Sequence, residues 1–146
     1  MAEDVWFGWR ARRAGARTAF APEAQVHHAV LPRTLRQFIR DQHRVRHFPE
    51  IARRMPEIRD QMFFGRYFLS SRSAAFDTAV LSLLLGAVLR STRPLVGVLP
   101  YGYLLGRDAT RHGRTAPAFV AVAALREAVR CASLIQGSVA CRTPVL

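Results

Sequence analysis

The chain has 146 residues, half of them hydrophobic, and a formal charge of +12 carried by 22 arginines without a single lysine or asparagine. This is enough chain for one domain, and two cysteines, Cys131 and Cys141, are too few for a disulfide framework and too far apart for a chelating pair. No internal repeat or low-complexity tract occurs, which excludes a solenoid array. Arginine without lysine is the mark of GC-rich codon usage rather than of guanidinium chemistry. The charge itself is physical and favours an anionic partner: phospholipid headgroups, nucleic acid or a diphosphate-linked acceptor.

The N-terminus opens on acids and tryptophans rather than on a basic and then apolar run, so no signal peptide is expected. Glu3 and Asp4 complement the positive end of a helix dipole, Val5, Trp6 and Trp9 fall at helical spacing, and Arg12 and Arg13 suit the last turn. Gly15 fits a left-handed terminating residue. Taken alone, the acidic pair is a solvated first turn. The segments Arg17–Ala21 and Gln25–Val30, rich in aromatic and β-branched residues and bounded by Pro22 and Pro32, are predicted as short strands.

Acidic pair, helix, glycine, short strand, proline and a strand ending in histidine form an ordered constellation. Ala2-Glu3-Asp4 is similar to an x-E-D motif. Gly8-Trp9-Arg10 with Arg13-Ala14-Gly15 is similar to a W-R-x-x-x-A-G helix, and Pro22-x-Ala24-x-Val26-x-His28 to a P-x-A-x-V-x-H strand. In that order the chain resembles the C-terminal part of the catalytic domain of bacterial family 2 glycosyltransferases, the inverting GT-A enzymes. The resemblance is specific from Ala2 to about Leu31 and loose to about Arg72.

The resemblance implies sugar transfer from a nucleotide-sugar donor to a hydroxyl of a lipid-linked or polysaccharide acceptor, with inversion. Asp4 would be the general base, Glu3 a positioning or capping group beside it, and His28 a ligand of the divalent metal, Mg or Mn. Such chemistry needs a carboxylate to take the acceptor proton as the glycosidic bond forms, and a metal to offset charge on the leaving diphosphate. The family's nucleotide-binding βαβ half precedes its x-E-D motif. Only Met1 and Ala2 precede it here, so the chain is expected to be inactive alone and to bind no metal by itself.

Thr34-Leu35-Arg36-Gln37 has the spacing of a capping box, opening a helix with Leu35, Phe38, Ile39 and Val45 on one stripe and arginines opposite. The family carries a Q-x-x-R-W-like motif on this helix, beside the acceptor groove. Here Gln42 to His47 lacks the tryptophan, which argues against a processive enzyme and leaves Gln42 and Arg46 as the acceptor-binding candidates. His43 and His47 stand four apart without a carboxylate between them, so surface histidines are expected rather than a zinc site.

Charge and hydropathy divide the chain. Residues 1–73 hold 14 arginines and 7 acids; residues 74–146 hold 8 and 3. The first segment is expected to be the catalytic-domain remnant and the second a hydrophobic, membrane-associated helical region. At the junction, aromatics interleave with arginine from Met62 to Phe68. Before an apolar segment this pattern is an interfacial belt rather than a single-strand nucleic-acid surface, and no nucleic acid is expected as partner. A non-catalytic basic module that binds anionic lipid or nucleic acid is the alternative reading.

The apolar blocks Ala74–Leu89 and Pro94–Gly106 would extend roughly 24 and 20 Å as helices, each short of a hydrocarbon core about 30 Å thick. They would cross it only by recruiting flanking residues, or form a shallow hairpin pinned by Arg90 and Arg93, with Pro100 kinking the second leg; the soluble alternative is a small helical bundle that buries these blocks in its own core. The third block, Ala116–Leu125 running through Arg126 to Arg130 and on to Ile135, suggests an amphipathic surface helix. Arginines flank every block, which favours a monotopic or re-entrant arrangement on the cytoplasmic face of the cell membrane. The expected fold class is mainly α with a short β element: a remnant of a GT-A α/β domain followed by amphipathic or membrane helices.

Overall fold

A computed structural model of the chain describes residues 3–27 and 32–146, and for Glu3 the backbone alone. The fold is mainly α: helices α1 (Glu3–Arg13), α2 (Leu35–Asp41), α3 (Phe48–Arg54), α4 (Ile58–Met62), α5 (Ser71–Leu89), α6 (Leu99–Ala109) and α7 (Ala116–Cys141). Tight 3₁₀ segments over Gln42–His47, Arg93–Val98 and Thr110–Thr115 join some of them. Among the described residues there is no strand: Arg17–Ala21 does not form the one expected there, and of the expected strand Gln25–Val30 only residues 25–27 are described. Residues 17–21 and 25–27 run without regular structure around a turn at Pro22. The physical reason is that a strand needs a partner for its ladder, and no other segment lies alongside.

Helix ends follow local chemistry. Gly15, at φ +86°, closes α1 with bonds from its own N–H to the Arg12 carbonyl and from the Ala16 N–H to the Ala11 carbonyl, the Schellman pattern. The Thr34 capping box is complete: its hydroxyl accepts from the Gln37 N–H, and its own N–H donates to the Gln37 side chain. Ser70 caps α5 by accepting from the Ser73 N–H. Pro100 sits in the first turn of α6, where its missing N–H is harmless, so the expected kink becomes a junction between 3₁₀ and α segments.

The helix α7 is the axis of the molecule. It runs unbroken through Arg126–Arg130 and, in place of lying on a surface, buries Ala123, Glu127, Ser133, Leu134 and Gly137 against its neighbours. The core joins Ile51, Ala52, Met55, Ile58 and Phe63 to Leu134 and Val145, with Trp6, Trp9 and Phe48 packed around them, so residues before and after position 73 share it. Val145 is held there because the Ser138 hydroxyl accepts from its N–H and donates to its carbonyl, while Leu146 exchanges backbone bonds with Tyr67 and Leu69.

At Gly137 the α7 backbone meets the Arg46 carbonyl so closely that a Cβ would collide with it. By contrast, a Cβ at Gly102 on α6 would meet nothing within 4 Å. Gly137→Ala is therefore expected to cost about 1–3 kcal/mol through overpacking, whereas Gly102→Ala should be neutral or stabilise by up to about 1 kcal/mol through helix propensity. Thermal unfolding of the two variants checks the contrast.

Candidate functional site

Asp4 lies in the first turn of α1, exposed, on the rim of a cleft of about 320 Å³ lined also by Val5, Gly8, Trp9, Arg12, Thr18, Gln61 and Met62. The packing of α1 against the core fixes this position. Val5, Trp6 and Trp9 pack on the core, the Arg54 guanidinium lies 5.4 Å from the Trp6 ring centre, and Arg13 pairs with Glu57 at 2.6 Å. Arg12 lies over Trp9 and donates to Gln61 at 3.4 Å, bridging α1 to α4 across the cleft floor. The cleft thus combines one carboxylate, one guanidinium, a hydroxyl and an indole face, a set able to orient a polyhydroxyl ligand and accept a proton from it.

The other candidates are dispersed. Glu3 belongs to α1 by its backbone, and His28 lies outside the described residues. The Gln42 side chain donates to the Phe38 carbonyl at 3.0 Å, closing its own helix. Arg46 is exposed and lines a second cleft of about 290 Å³ with His47, Glu50 and Gln136, which shares no residue with the cleft of Asp4. His43 Nδ1 bonds the Ser133 hydroxyl at 3.0 Å, tying the 3₁₀ segment to α7, while His47 sits beside Arg46. Among the described residues no three His, Cys, Asp or Glu side chains converge to hold a metal ion.

A polar knot where α5, α6 and α7 meet had no single signature in the sequence. Arg72 of α5 pairs with Asp108 of α6, and Glu127, 1% exposed, is held by Arg126 at 2.6 Å and Arg130 at 3.8 Å. Of these only the Glu127–Arg130 pair, three apart on one helix, was within reach of spacing arguments. Beside them the Cys131 thiol faces Asp77; burial first, then that carboxylate, push the thiol up to about 12.

Comparison with family models, with curated proteins and with solved structures finds no match to this chain.

Two outcomes follow from this geometry. A backbone hydrogen bond and then the Arg13 guanidinium hold the Glu57 carboxyl below its ordinary 4.5. A lowered folded value means that the contact stabilises α1 docking above the ordinary carboxylate range and is lost as pH falls through the lowered value. Both tryptophans of the chain lie on α1, so their emission should shift to the red on acidification below that range, and Glu57→Gln should remove this component. Cys131, protonated in the fold, should react slowly with a maleimide at pH 8 and rapidly once unfolded, as mass spectrometry of the labelled peptides would show.

Proposed function

We propose that the chain is the acceptor-side, membrane-facing part of an inverting glycosyltransferase of family 2, with Asp4 as the base that takes the proton from the acceptor hydroxyl. The observation that carries this reading is the position of Asp4. It stands on the first turn of a helix whose tryptophans pack against the core and whose Arg13 pairs with Glu57, at the edge of a cleft with Arg12, Thr18 and Trp9. Support also comes from the apolar side chains left uncovered on the same side of the sequence: Phe7 on α1, then Phe20 and Val26 in the segment where the family resemblance places strands. A donor-binding βαβ layer supplied by further chain would cover these and give the segment a sheet to join.

In this reading the donor half contributes the nucleotide-sugar pocket and the paired aspartates for Mg or Mn, with His28 offered from this chain as a further ligand. The present residues supply the base, the acceptor cleft and attachment to membrane lipids at the cytoplasmic face, close to a lipid-linked or polysaccharide acceptor. Gln42 and Arg46 fit the acceptor site less well, since one closes its own helix and the other lines a separate cleft.

The test has a genetic and a kinetic arm. The bases ahead of Met1 should encode, in frame, a βαβ pattern with a paired-aspartate motif. A stop codon there with no neighbouring gene for that half would overturn the proposal. In the enzyme carrying both halves, Asp4→Asn should lower kcat by about 10²–10⁴-fold with little change in acceptor KM. Unchanged turnover would remove Asp4 from the mechanism.

A further inference from the structure

The segment from α5 to α6 is an antiparallel hairpin. Leu95 packs on Gly86, Gly97 on Ser82 and Thr78, and Tyr101 edge-on to Phe76 at 5.2 Å, and Arg72 pairs with Asp108 at the root. The two legs match in length: α5 extends about 28 Å, and the 3₁₀ segment Arg93–Val98 with α6 together also extend about 28 Å. Each thus recruits the flanking residues that the apolar blocks alone lacked, and approaches the thickness of a hydrocarbon core.

The distribution of polarity distinguishes three ways of meeting a bilayer. The one acid of α5, Asp77, lies a turn beyond Arg72 and faces Cys131 of α7; from Thr78 to Leu89 no residue is charged, and the polar side chains, Thr78 and Ser82, both face Gly97 of the other leg. Only 28% of the apolar stretch of α5 is buried, and Leu81, Leu84 and Val88 are exposed on one side and Leu83 on another. A helix lying in the interface needs a polar face toward water, and α5 has none along this stretch. A hairpin dipping halfway would put Arg90 and Arg93, exposed at its tip, at the costly centre of the bilayer. A hairpin that crosses places the same guanidiniums among the phosphates of the far leaflet, and the Arg72–Asp108 pair, with Arg107, at the near one. Close packing through Gly86, Gly97 and Ser82 suits lipid, where association rests on small residues and close contact.

The geometry points to a hairpin, Ser71–Ala109, that spans the bilayer, with Arg90 and Arg93 at the face opposite the body of the protein. It rests on the membrane attachment in the proposed function and not on the assignment of Asp4. The test uses two single-cysteine variants on a Cys131→Ala, Cys141→Ser background, reconstituted in phosphatidylcholine–phosphatidylglycerol vesicles. Thr92→Cys reports the tip, where the residue is exposed and makes no side-chain cap, and Arg53→Cys reports the exposed face of α3. A charged, impermeant maleimide is presented outside or trapped in the lumen.

The expected result is that the two positions label from opposite sides, with the tip losing its labelling by whichever reagent modifies Arg53→Cys. Labelling of both from the same side would mean a hairpin lying on the surface, and no labelling of the tip from either side would mean a dip; each overturns the crossing. Failure of either variant to float with vesicles overturns the crossing and membrane attachment together, while leaving the Asp4 kinetics to be judged separately.

Discussion

Charge has to be cancelled where the apolar hairpin leaves the body of the protein, and the rest of the architecture depends on how this is done. Glu127 is almost completely buried and is flanked by Arg126 and Arg130 on its own helix; a turn away, Arg72 and Asp108 close the root of the hairpin across α5 and α6. A buried ion pair adds little net stability, because desolvation offsets the attraction, whereas leaving the buried Glu127 carboxylate without its arginines would cost about 3–5 kcal/mol. The effect of these pairs is positional. They gather the ionic groups at one level of the fold and leave the stretch beyond it free of charge as far as Arg90.

The helix α7 gives this level its fixed relation to the remainder. Its middle carries Glu127 and Cys131 toward α5, and the following turns carry Ser133, Leu134 and Gly137 toward α3 and the 3₁₀ segment Gln42–His47. One helix therefore connects the hairpin root to the core that supports α1 and, through it, Asp4. In the proposed glycosyltransferase the candidate base is thereby joined to the membrane element through packed helices. A lipid-linked acceptor could then be presented to it without a flexible tether.

Legibility in the sequence followed the range of the interactions. Gly15 and the Thr34–Gln37 box rest on contacts within four or five residues, and each was readable from residue type and spacing; the Ser70 cap puts the start of α5 three residues ahead of the apolar block at Ala74. The strand expected over Arg17–Ala21 was misjudged because that segment has strand-like composition but pairs with no ladder, and pairing is not a local property. The left-handed ends of α5 and α7 were hidden because arginines, Arg90 and Arg142, occupy the conformation usually given to glycine. Arg72 and Asp108, far apart in the chain, carried no pattern that paired them. Of the candidate site, Asp4 was legible as the head of a docked helix, but the separation of its cleft from that of Arg46 depends on packing that spacing does not encode.

In the proposed arrangement the apolar hairpin, and not the net charge of +12, holds this protein to lipid. Flotation of the full chain with vesicles of pure phosphatidylcholine, then with anionic vesicles washed in about 1 M salt, where the screening length falls to about 3 Å, tests it most directly. The account predicts that the protein stays with the zwitterionic vesicles and survives the wash on the anionic ones. Binding confined to anionic vesicles and released by salt would contradict it, and would leave a basic surface as the only attachment.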